Sequence, residues 1–507
     1  MAYKPDGLFE YILINYRWVF VCLFLLPASF FFDIWLYFRN WIVFKLSSAP
    51  KQHNSKVKDV QNQVTNWIKN GKKQFMCTAR PGWQTVSFRR PKYKKTMYNI
   101  KVNLVDVLDV NLEKKTVRVE PLVTMGQLTA TLNPLGWTIP VVPELDDLTV
   151  GGLVMGTGIE SSSHKFGLFQ HVCVAYELVL SDGSVVTCSA KENSNLFYSV
   201  PWSYGTLGIL TAVEIKLIPA KKYVRLTYQP LQQLEKISRE TELASKDSKN
   251  EFVETLVYNK DEAVLMTGNQ TDTVEDDKIN EIGKWYKPWF FKHVQAMLKK
   301  NKTVVEYIPL RDYYHRHTRS IFWELQDIIP FGNNVLFRYF LGWIVPPKVS
   351  LLKLTQTKAV TKLYENNHVI QDMLVPIETL KPSIEKFHEV LEIYPMWVCP
   401  FKLPANPGMV HPPKNPRTNE TPPIYVDIGV YGVPKATNFS ARQSTREIEK
   451  YVMNVNGFQM LYADTYMSRA EFRRMFDHTL YDKLRASLGC KSAFAEVYDK
   501  VNRSARE

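Results

Sequence analysis

The chain has 507 residues and a formal net charge of +14, and 45% of its residues are hydrophobic. The length predicts more than one domain, because a domain usually holds about 100–200 residues, and the hydrophobic share is ordinary for a globular protein. Six scattered cysteines without a C-x-x-C pair argue against a disulfide framework and against a zinc site.

Residues 18–38 form an apolar stretch that is interrupted by Ser29 and Asp33. About 20 apolar residues are enough to cross a membrane, so we predict a transmembrane helix at about 18–38, within an N-terminal anchor of residues 1–48. A hairpin-like or interfacial helix kinked at Pro27 is the alternative. Basic residues are more numerous after the stretch than before it, which places the body in the cytosol and the short N-terminus in the lumen.

The next residues predict the start of a soluble domain. The apolar spacing over 55–68 predicts an amphipathic helix, and 75–87 has the pattern of strand, turn and strand, with Arg80 in the turn. Between Lys69 and Lys101 there is no acidic residue. This basic run is either a solvated face or a surface that attracts lipid headgroups or a phosphorylated nucleotide. No nucleic-acid motif accompanies it, so we expect no nucleic-acid partner.

Gly151, Gly152, Gly156 and Gly158 fall close together in the chain. Glycine permits φ > 0 and a close approach to the backbone, so successive amide N–H groups just past Thr149 can converge on phosphate oxygens. The segment therefore predicts a backbone cradle for a large anionic cofactor. A Rossmann unit is not indicated, because no G-x-G-x-x-G motif follows a strand and opens a helix.

The motifs around these glycines stand in the order of one flavoprotein family. Thr149–Gly152 (TVGG) is followed by His164–Gly167 (HKFG), by a strand with the turn Ser181–Ser184 (SDGS), and by Gly205–Ile209 (GTLGI). This order resembles the FAD-binding domain of the vanillyl-alcohol oxidase and p-cresol methylhydroxylase (PCMH) type. The resemblance implies a bound FAD.

The same resemblance assigns residues to the cofactor. Many members of the family carry, in the turn that here holds Arg80, a histidine that bonds covalently to the flavin. This chain has no histidine between His53 and His164, so the FAD is expected to be non-covalent. The cofactor-binding residues that we carry over are Arg80, Thr149, Val150, Gly151, Gly152, Leu153, Val154, Met155, Gly156, Thr157, Gly158, Ile159, Glu160, Ser161, Gly208 and Ile209.

After Pro219 the pattern changes to alternating strands and amphipathic helices. We therefore predict an α+β fold in which a substrate cap sits on the flavin domain. The family resemblance implies that the C-terminal segment packs back against the flavin. The predicted divisions are a two-subdomain PCMH-type FAD-binding domain at 49–222, an α+β substrate cap at 223–440 and the C-terminal segment at 441–507.

Sequence blocks over nearly the whole chain, among them 143–171, 313–334 and 457–467, resemble the Diminuto group of sterol reductases within this family. The resemblance implies NADPH-driven reduction of the delta-24 side-chain double bond of sterols, of the desmosterol to cholesterol type. It implies the endoplasmic reticulum membrane, with the Golgi as an alternative. A homo-oligomer and association with other sterol enzymes stay open.

Three other functions stay open beside sterol reduction. The same fold serves flavin oxidases of sugar lactones or alcohols, and relatives of ether-lipid synthases. A membrane-tethered scaffold without turnover is the alternative that is not an enzyme.

Reduction of an isolated alkene needs a positioned proton donor in a dry site with aromatic faces. Tyr462 with Asp464 would form a proton relay, although a tyrosine that merely finds a hydrogen-bond partner is the bland alternative. His315 and His317 are the second pair of candidates, for which a polar interface between cap and flavin domain is the commoner explanation. No third ligand stands at a recognisable spacing, so we expect no metal.

Overall fold

The computed structural model describes residues 7–80, 91–353, 357–413 and 423–505. Within these residues the chain forms an N-terminal helical arm, a first domain around a five-stranded sheet, a cap around an eight-stranded sheet and a C-terminal run of helices. The mixed α and β architecture agrees with the predicted fold class.

The N-terminal arm is helical from Arg17 to Lys45, beyond the predicted end of the span at residue 38. Its elements are α1 (Leu8–Asn15), α2 (Arg17–Phe20), a π-helical turn (Val21–Leu25) and α3 (Leu26–Lys45), and α4 (Ala49–Lys69) follows the arm. Pro27 lies in the first turn of α3, directly after the π-helical turn. By length and composition the segment suffices to cross a membrane, and 22% of its most apolar window is buried.

Helix α4 joins the arm to the first domain and is amphipathic, as its spacing predicts. Val57, Val60, Val64 and Trp67 are buried in the core of that domain. The helix therefore belongs to the first domain, and the membrane arm ends before it.

The first domain is built on a five-stranded antiparallel sheet. Five of the strands in this domain form the sheet, and the other four form two separate pairs. The strands of the domain are β1 (Met76–Ala79), β2 (Tyr98–Lys101), β3 (Val107–Asn111), β4 (Thr116–Val119), β5 (Trp137–Thr138), β6 (Cys173–Val179), β7 (Val185–Ser189), β8 (Ile209–Lys216) and β9 (Ile218–Pro219). Its further helices are α5 (Met125–Leu132), α6 (Val150–Gly156), α7 (Ser163–Phe166) and α8 (Ser194–Ser199). The sheet has the order β3-β4-β8-β6-β7, while β1 pairs with β2 in parallel and β5 pairs with β9. The strand predicted to return before Ser87 lies outside the described residues.

The cap is built on a single antiparallel sheet with the order β13-β10-β12-β11-β15-β16-β14-β17. Its strands are β10 (Tyr223–Gln232), β11 (Phe252–Asn259), β12 (Glu262–Thr271), β13 (Val304–Pro309), β14 (Val369–Pro376), β15 (Met396–Lys402), β16 (Ile424–Gly432) and β17 (Phe458–Gln459). Its helices are α9 (Leu234–Lys246), α10 (Phe290–Lys300), α11 (Leu310–Tyr314), α12 (Leu325–Ile328), α13 (Val335–Leu341), α14 (Val349–Leu352), α15 (Lys358–Asn367), α16 (Leu380–Val390) and α17 (Ala441–Asn454).

The two faces of the cap sheet have different neighbours, because successive residues of a strand point to opposite sides. Val398 and Ile428 pair across β15 and β16 on the face that α9, α16 and α17 cover. Trp397 and Asp427 lie on the other face. That face turns toward the first domain, where α7 lies against β15 and the amide of Val253 donates to a carbonyl of the α6–α7 loop at 2.8 Å.

The cap continues past residue 440, where the sequence pattern predicts its end. Ile448 and Val452 of α17 are buried in the core beneath the cap sheet, and β17 pairs with β14. The helices that follow are α18 (Arg469–Met475), α19 (Thr479–Ser487), α20 (Cys490–Ala493) and α21 (Val497–Val501). They pack on the first domain, where Tyr481 Oη lies 2.6 Å from Thr206 Oγ1.

Candidate functional site

The first four amides after Thr149 donate within the chain. Those of Val150 and Gly151 donate to two backbone carbonyls of the loop before α5, at 2.9 and 2.6 Å. Those of Gly152 and Leu153 donate to the side chain and the carbonyl of Thr149, at 3.3 and 3.0 Å. The predicted convergence of amides at this point is therefore not what the structure has: these amides anchor α6 instead.

Amides without a partner are found at the other end of α6. Over the described ranges, the N–H groups of Thr157, Gly158 and Ile159 donate to no other residue. Thr157 has φ 83° and ψ 165°, a backbone region that is almost restricted to glycine, and its hydroxyl donates to Gln170 Oε1 at 2.7 Å. Backbone strain of about 1–3 kcal/mol is typical of such positions. The amides suited to an anion thus follow the helix rather than precede it.

Gly152 lies on an open side of α6. A Cβ on Gly152 would meet only Thr149 Oγ1, at 3.0 Å, and the residue is exposed, whereas a Cβ on Gly151 would meet Pro121 Cβ at 2.7 Å. Gly156 faces Tyr204, whose Oη would lie 3.1 Å from an added Cβ. The space beside Gly152 is open, so a ligand such as a dinucleotide can approach the backbone of α6 closely at this point.

Three cations from distant parts of the chain meet near this helix. Arg80 follows β1, Lys94 follows the undescribed loop, and Lys500 comes from α21, where its Nζ donates to the carbonyl of Tyr204 and lies 5.5 Å from the centroid of the Tyr93 ring. In the described parts of the chain, no carboxylate forms an ion pair with any of the three.

Burial without a counter-charge destabilises these cations. Burial, with a smaller contribution from the nearby charge of Lys94, lowers the pKa of Lys500 to about 8. Burial lowers the pKa of Arg80 as well. A diphosphate would supply the missing negative charge, so this cluster fits FAD. Lys500 was missed in the sequence, where no motif surrounds it.

The remaining carried-over residues serve the core or the domain interface. Glu160 and Ser161 contact the cap, which differs from their expected role at the cofactor. Gly208 packs against the end of β6, since a Cβ there would lie 3.1 Å from the Val179 carbonyl. Core side chains, at 0–6% exposure, are Val150, Leu153, Val154, Ile159 and Ile209, and Met155 packs against them half-buried.

The predicted histidine pair lies in the interface between the first domain and the cap. His315 contacts Thr129 Oγ1 at 2.7 Å and Asp146 Oδ1 at 2.8 Å, both in the first domain. His317 is stacked on Phe322 with centroids 4.5 Å apart. Burial lowers the pKa of His317 to about 4, so its ring is neutral. These surroundings favour the interpretation of the pair as interface residues.

Between the two histidines, Arg316 bridges the two domains. Its guanidinium is fully buried and contacts both oxygens of Glu254 in the cap, at 2.8 and 2.9 Å, and Glu160 in the first domain, at 2.8 Å. Tyr313 adds a ring 4.4 Å from the guanidinium carbon. The sequence pattern does not distinguish Arg316 from its two histidine neighbours, yet the Arg316 guanidinium binds carboxylates of both domains.

Five carboxyl groups are buried between the cap sheet and the first domain: Glu144, Glu160, Glu254, Asp372 and Asp427. One guanidinium cannot balance five carboxylates. Burial raises the pKa of each, and the Arg316 charge overcomes this only at Glu254, whose pKa lies well below its usual range. Burial raises the pKa of Asp372 to about 7, and burial and Asp372 raise that of Asp427. Burial without enough positive charge therefore favours the protonated form of these acids.

Tyr462 and Asp464 lie on the C-terminal side of the cap. Tyr462 is 41% exposed, which differs from the dry setting that alkene protonation needs. Asp464 is buried, with a carboxylate oxygen 3.5 Å from Arg503 Nε and a backbone carbonyl that accepts from Gln371. The two predicted relay residues thus differ in setting, because Tyr462 is exposed and Asp464 is buried.

Comparison with known proteins agrees with this arrangement. The FAD binding domain family model matches residues 67–189. The Delta(24)-sterol reductases of Macaca fascicularis and Homo sapiens are 62% and 61% identical to this chain over 98% of its length and 95% of theirs. The Caenorhabditis elegans Delta(24)-sterol reductase homolog dhcr-24 is 50% identical over 98% of this chain and 96% of its own length. Both resemblances are thereby confirmed, and the chain belongs to the Delta(24)-sterol reductase family.

Proposed function

We propose that this chain reduces the delta-24 side-chain double bond of sterols, with FAD as a bound, non-covalent cofactor and NADPH as the electron donor. The observation that carries this proposal is identity above 60% to named reductases over nearly the whole chain. Among the described residues, the amides after α6 have no hydrogen-bond partner and the nearby cations have no carboxylate partner. Together they give the flavin a place to bind. They also argue against a scaffold that has lost its cofactor.

When bound, FAD would supply the hydride-transfer chemistry that links NADPH to the alkene. The protein binds and orients the cofactor and the sterol, and it excludes water from the site. Arg80 and Lys500 hold the diphosphate together with the amides of 157–159. The enclosed face of the cap sheet excludes water with packed rings, since the Phe322 centroid lies 5.4 Å from that of Trp397. Such faces stabilise positive charge that develops on an alkene carbon.

The sequence candidates for catalysis receive different roles in this proposal. His315 positions the cap on the first domain, because its contacts run between the two, and His317 packs beside it within the cap. Tyr462 with Asp464 stays a candidate relay, through which a proton from solvent would enter.

Anaerobic spectroscopy of the purified protein tests the proposed function. NADPH is expected to bleach the flavin absorbance, and desmosterol is then expected to restore it with formation of the saturated sterol. An oxidase of a sugar lactone or alcohol would be bleached by that substrate instead. A flavin that NADPH does not bleach contradicts the reductase assignment, and a colourless protein contradicts the flavin assignment.

We also propose that the chain is attached to the endoplasmic reticulum membrane with the N-terminal helix lying along the body. Arg17 Nη1 donates to Tyr364 Oη at 2.9 Å, Asp33 pairs with Lys348 at 2.7 Å, and Arg39 pairs with Asp106. From Arg17 to Arg39 the helix covers, at about 1.5 Å per residue, the thickness of a bilayer core of about 30 Å. A spanning helix would draw these charged partners into hydrocarbon, which is costly.

The side of the N-terminal arm that faces away from the body is suited to insertion into one leaflet of the membrane. Phe30 packs on Trp343 beside α13, with ring centroids 5.0 Å apart, so the two helices share one apolar surface rich in tryptophan and tyrosine. Exposed large apolar side chains on this surface are Leu23, Phe24, Phe31, Ile34, Trp35, Phe38, Trp41, Ile42, Leu336, Tyr339, Phe340 and Trp343.

An N-terminal extension of about 20 residues with a glycosylation acceptor distinguishes the two topologies. We expect no glycosylation in microsomes, together with membrane binding that resists salt washing. A secreted domain with the same extension serves as the positive control. Glycosylation of the extended chain would show a luminal N-terminus and a single pass, which contradicts the arrangement along the body.

A further inference from the structure

A pair of aspartates lies at the centre of the enclosed face of the cap sheet. Asp427 of β16 stands opposite Leu374, and Asp372 of β14 stands opposite Gly429, so the two carboxyl groups are diagonal neighbours on one face and contact each other. Tyr431 Oη donates to Asp372 Oδ1 at 2.5 Å. The face is the one that turns toward the first domain, where the flavin binds.

The pair must share a proton. Asp427 and Asp372 are 0% and 1% exposed, and among the described residues no donor reaches either oxygen of Asp427 or the second oxygen of Asp372. Two buried carboxylates in contact cannot both be ionised, because their repulsion is not screened. The contact is a hydrogen bond only if one group is protonated.

The groups around the pair do not remove this proton. Glu144 faces Asp427 from the loop before α6, and Tyr431 and the thiol of Cys399 face it from β16 and β15. The cation of the interface, Arg316, is bound to Glu254 and Glu160. Asp427 is therefore a carboxylic acid held neutral beside other acids, which is the state that a proton donor requires.

We infer that Asp427 is the proton donor of the sterol reduction, and that Asp372 and Tyr431 position it. This inference rests on the proposed function. The electron pair of the alkene forms a C–H bond with the proton of Asp427, and a hydride that originates from NADPH forms the second C–H bond at the neighbouring carbon. Asp427 is left as a carboxylate and regains its proton from water, so atoms and charge balance.

The alternatives within the enclosed face are weaker donors. Glu254 is ionised against Arg316, and Glu160 accepts from the same guanidinium. The ring of His317 is neutral, with its lowered pKa. Glu144 is the rival, because one of its oxygens is buried without a partner among the described residues.

Rapid-mixing experiments on the FAD-loaded enzyme separate the two half-reactions. With Asp427→Asn, we expect bleaching by NADPH to proceed within about twofold of the wild-type rate and reoxidation by desmosterol to slow by about 100-fold or more, the usual contribution of a general acid. Glu144→Gln is the matched variant and is expected to slow reoxidation by less than tenfold. Reoxidation at the wild-type rate in Asp427→Asn, or a larger loss in Glu144→Gln, overturns the inference.

The pH profile of reoxidation provides a test that a structural role would not mimic. The rate falls as pH rises and Asp427 loses its proton. Because the neighbouring carboxyl raises the pKa of Asp427, Asp372→Asn is expected to move this fall to lower pH. A profile that does not move contradicts the inference. This measurement does not need the Asp427→Asn variant, so it still tests the inference if that variant does not fold. Failure of the wild-type enzyme to form product would instead refute the proposed function.

Discussion

Replacement of Lys500 by methionine is expected to give a folded protein that loses its flavin on purification. Lys500 is buried and, in the described structure, has no carboxylate partner, so the chain carries the cost of its burial until an anion binds. Truncating one partner of a buried charge pair costs about 2–5 kcal/mol, which corresponds to an increase of about 30-fold or more in the Kd for FAD. The Kd is measured by the quenching of flavin fluorescence when FAD is titrated with the apoprotein.

The matched controls are Lys500→Arg, which keeps the charge, and Lys491→Met, which removes an exposed lysine from the neighbouring α20. Both are expected to bind FAD within a few-fold of wild type. The lysine must be protonated to hold a phosphate, and its pKa in the free protein is about 8. Affinity should therefore be constant below pH 8 and fall above it, and Lys500→Arg should remove the fall. Wild-type affinity in Lys500→Met would exclude Lys500 from the site.

Local sequence patterns predicted most elements of the fold. They failed where contacts with residues distant in the sequence determine where an element begins or ends. The apolar spacing over 55–68 located α4, and the buried strands of the cap were visible as alternating runs. The spacing of Ser444 and Glu447 is that of a capping box and predicts a helix that begins there, but α17 begins at Ala441. Helix starts depend on where the chain leaves its neighbours, and here Ser444 accepts a hydrogen bond from the amide of Ser440 inside the first turn.

The candidate site was predictable only in part, for the same physical reason. The glycine motif identified the segment, yet the amide of Gly151 donates to Pro121, a contact that no local rule anticipates. Arg80 and Lys500 meet through folding alone. Asp372 and Asp427 become neighbours only once the register of β14 against β16 is known. A charge that is isolated in sequence therefore gives no indication of whether it will be buried without a partner.

Replacement of Arg316 by methionine is expected to destabilise the protein by about 3–5 kcal/mol, the usual result of removing one partner from a buried ion pair. Glu254 and Glu160 would be left among three other buried carboxyl groups without their cation. Urea unfolding, followed by tryptophan fluorescence, measures the loss as a lower midpoint with an unchanged slope.

Two further variants identify the cause of that loss. Arg316→Lys keeps the charge but cannot contact both oxygens of Glu254, so an intermediate loss is expected. The double variant Arg316→Met with Glu254→Met replaces the pair by apolar groups, which is often nearly neutral, and it should recover much of the stability. Equal stability of Arg316→Met and wild type would mean that the interface does not depend on this pair. Recovery in the double variant would show instead that the cost arises from the unpaired carboxylate, and that the cap is held to the first domain by charge balance.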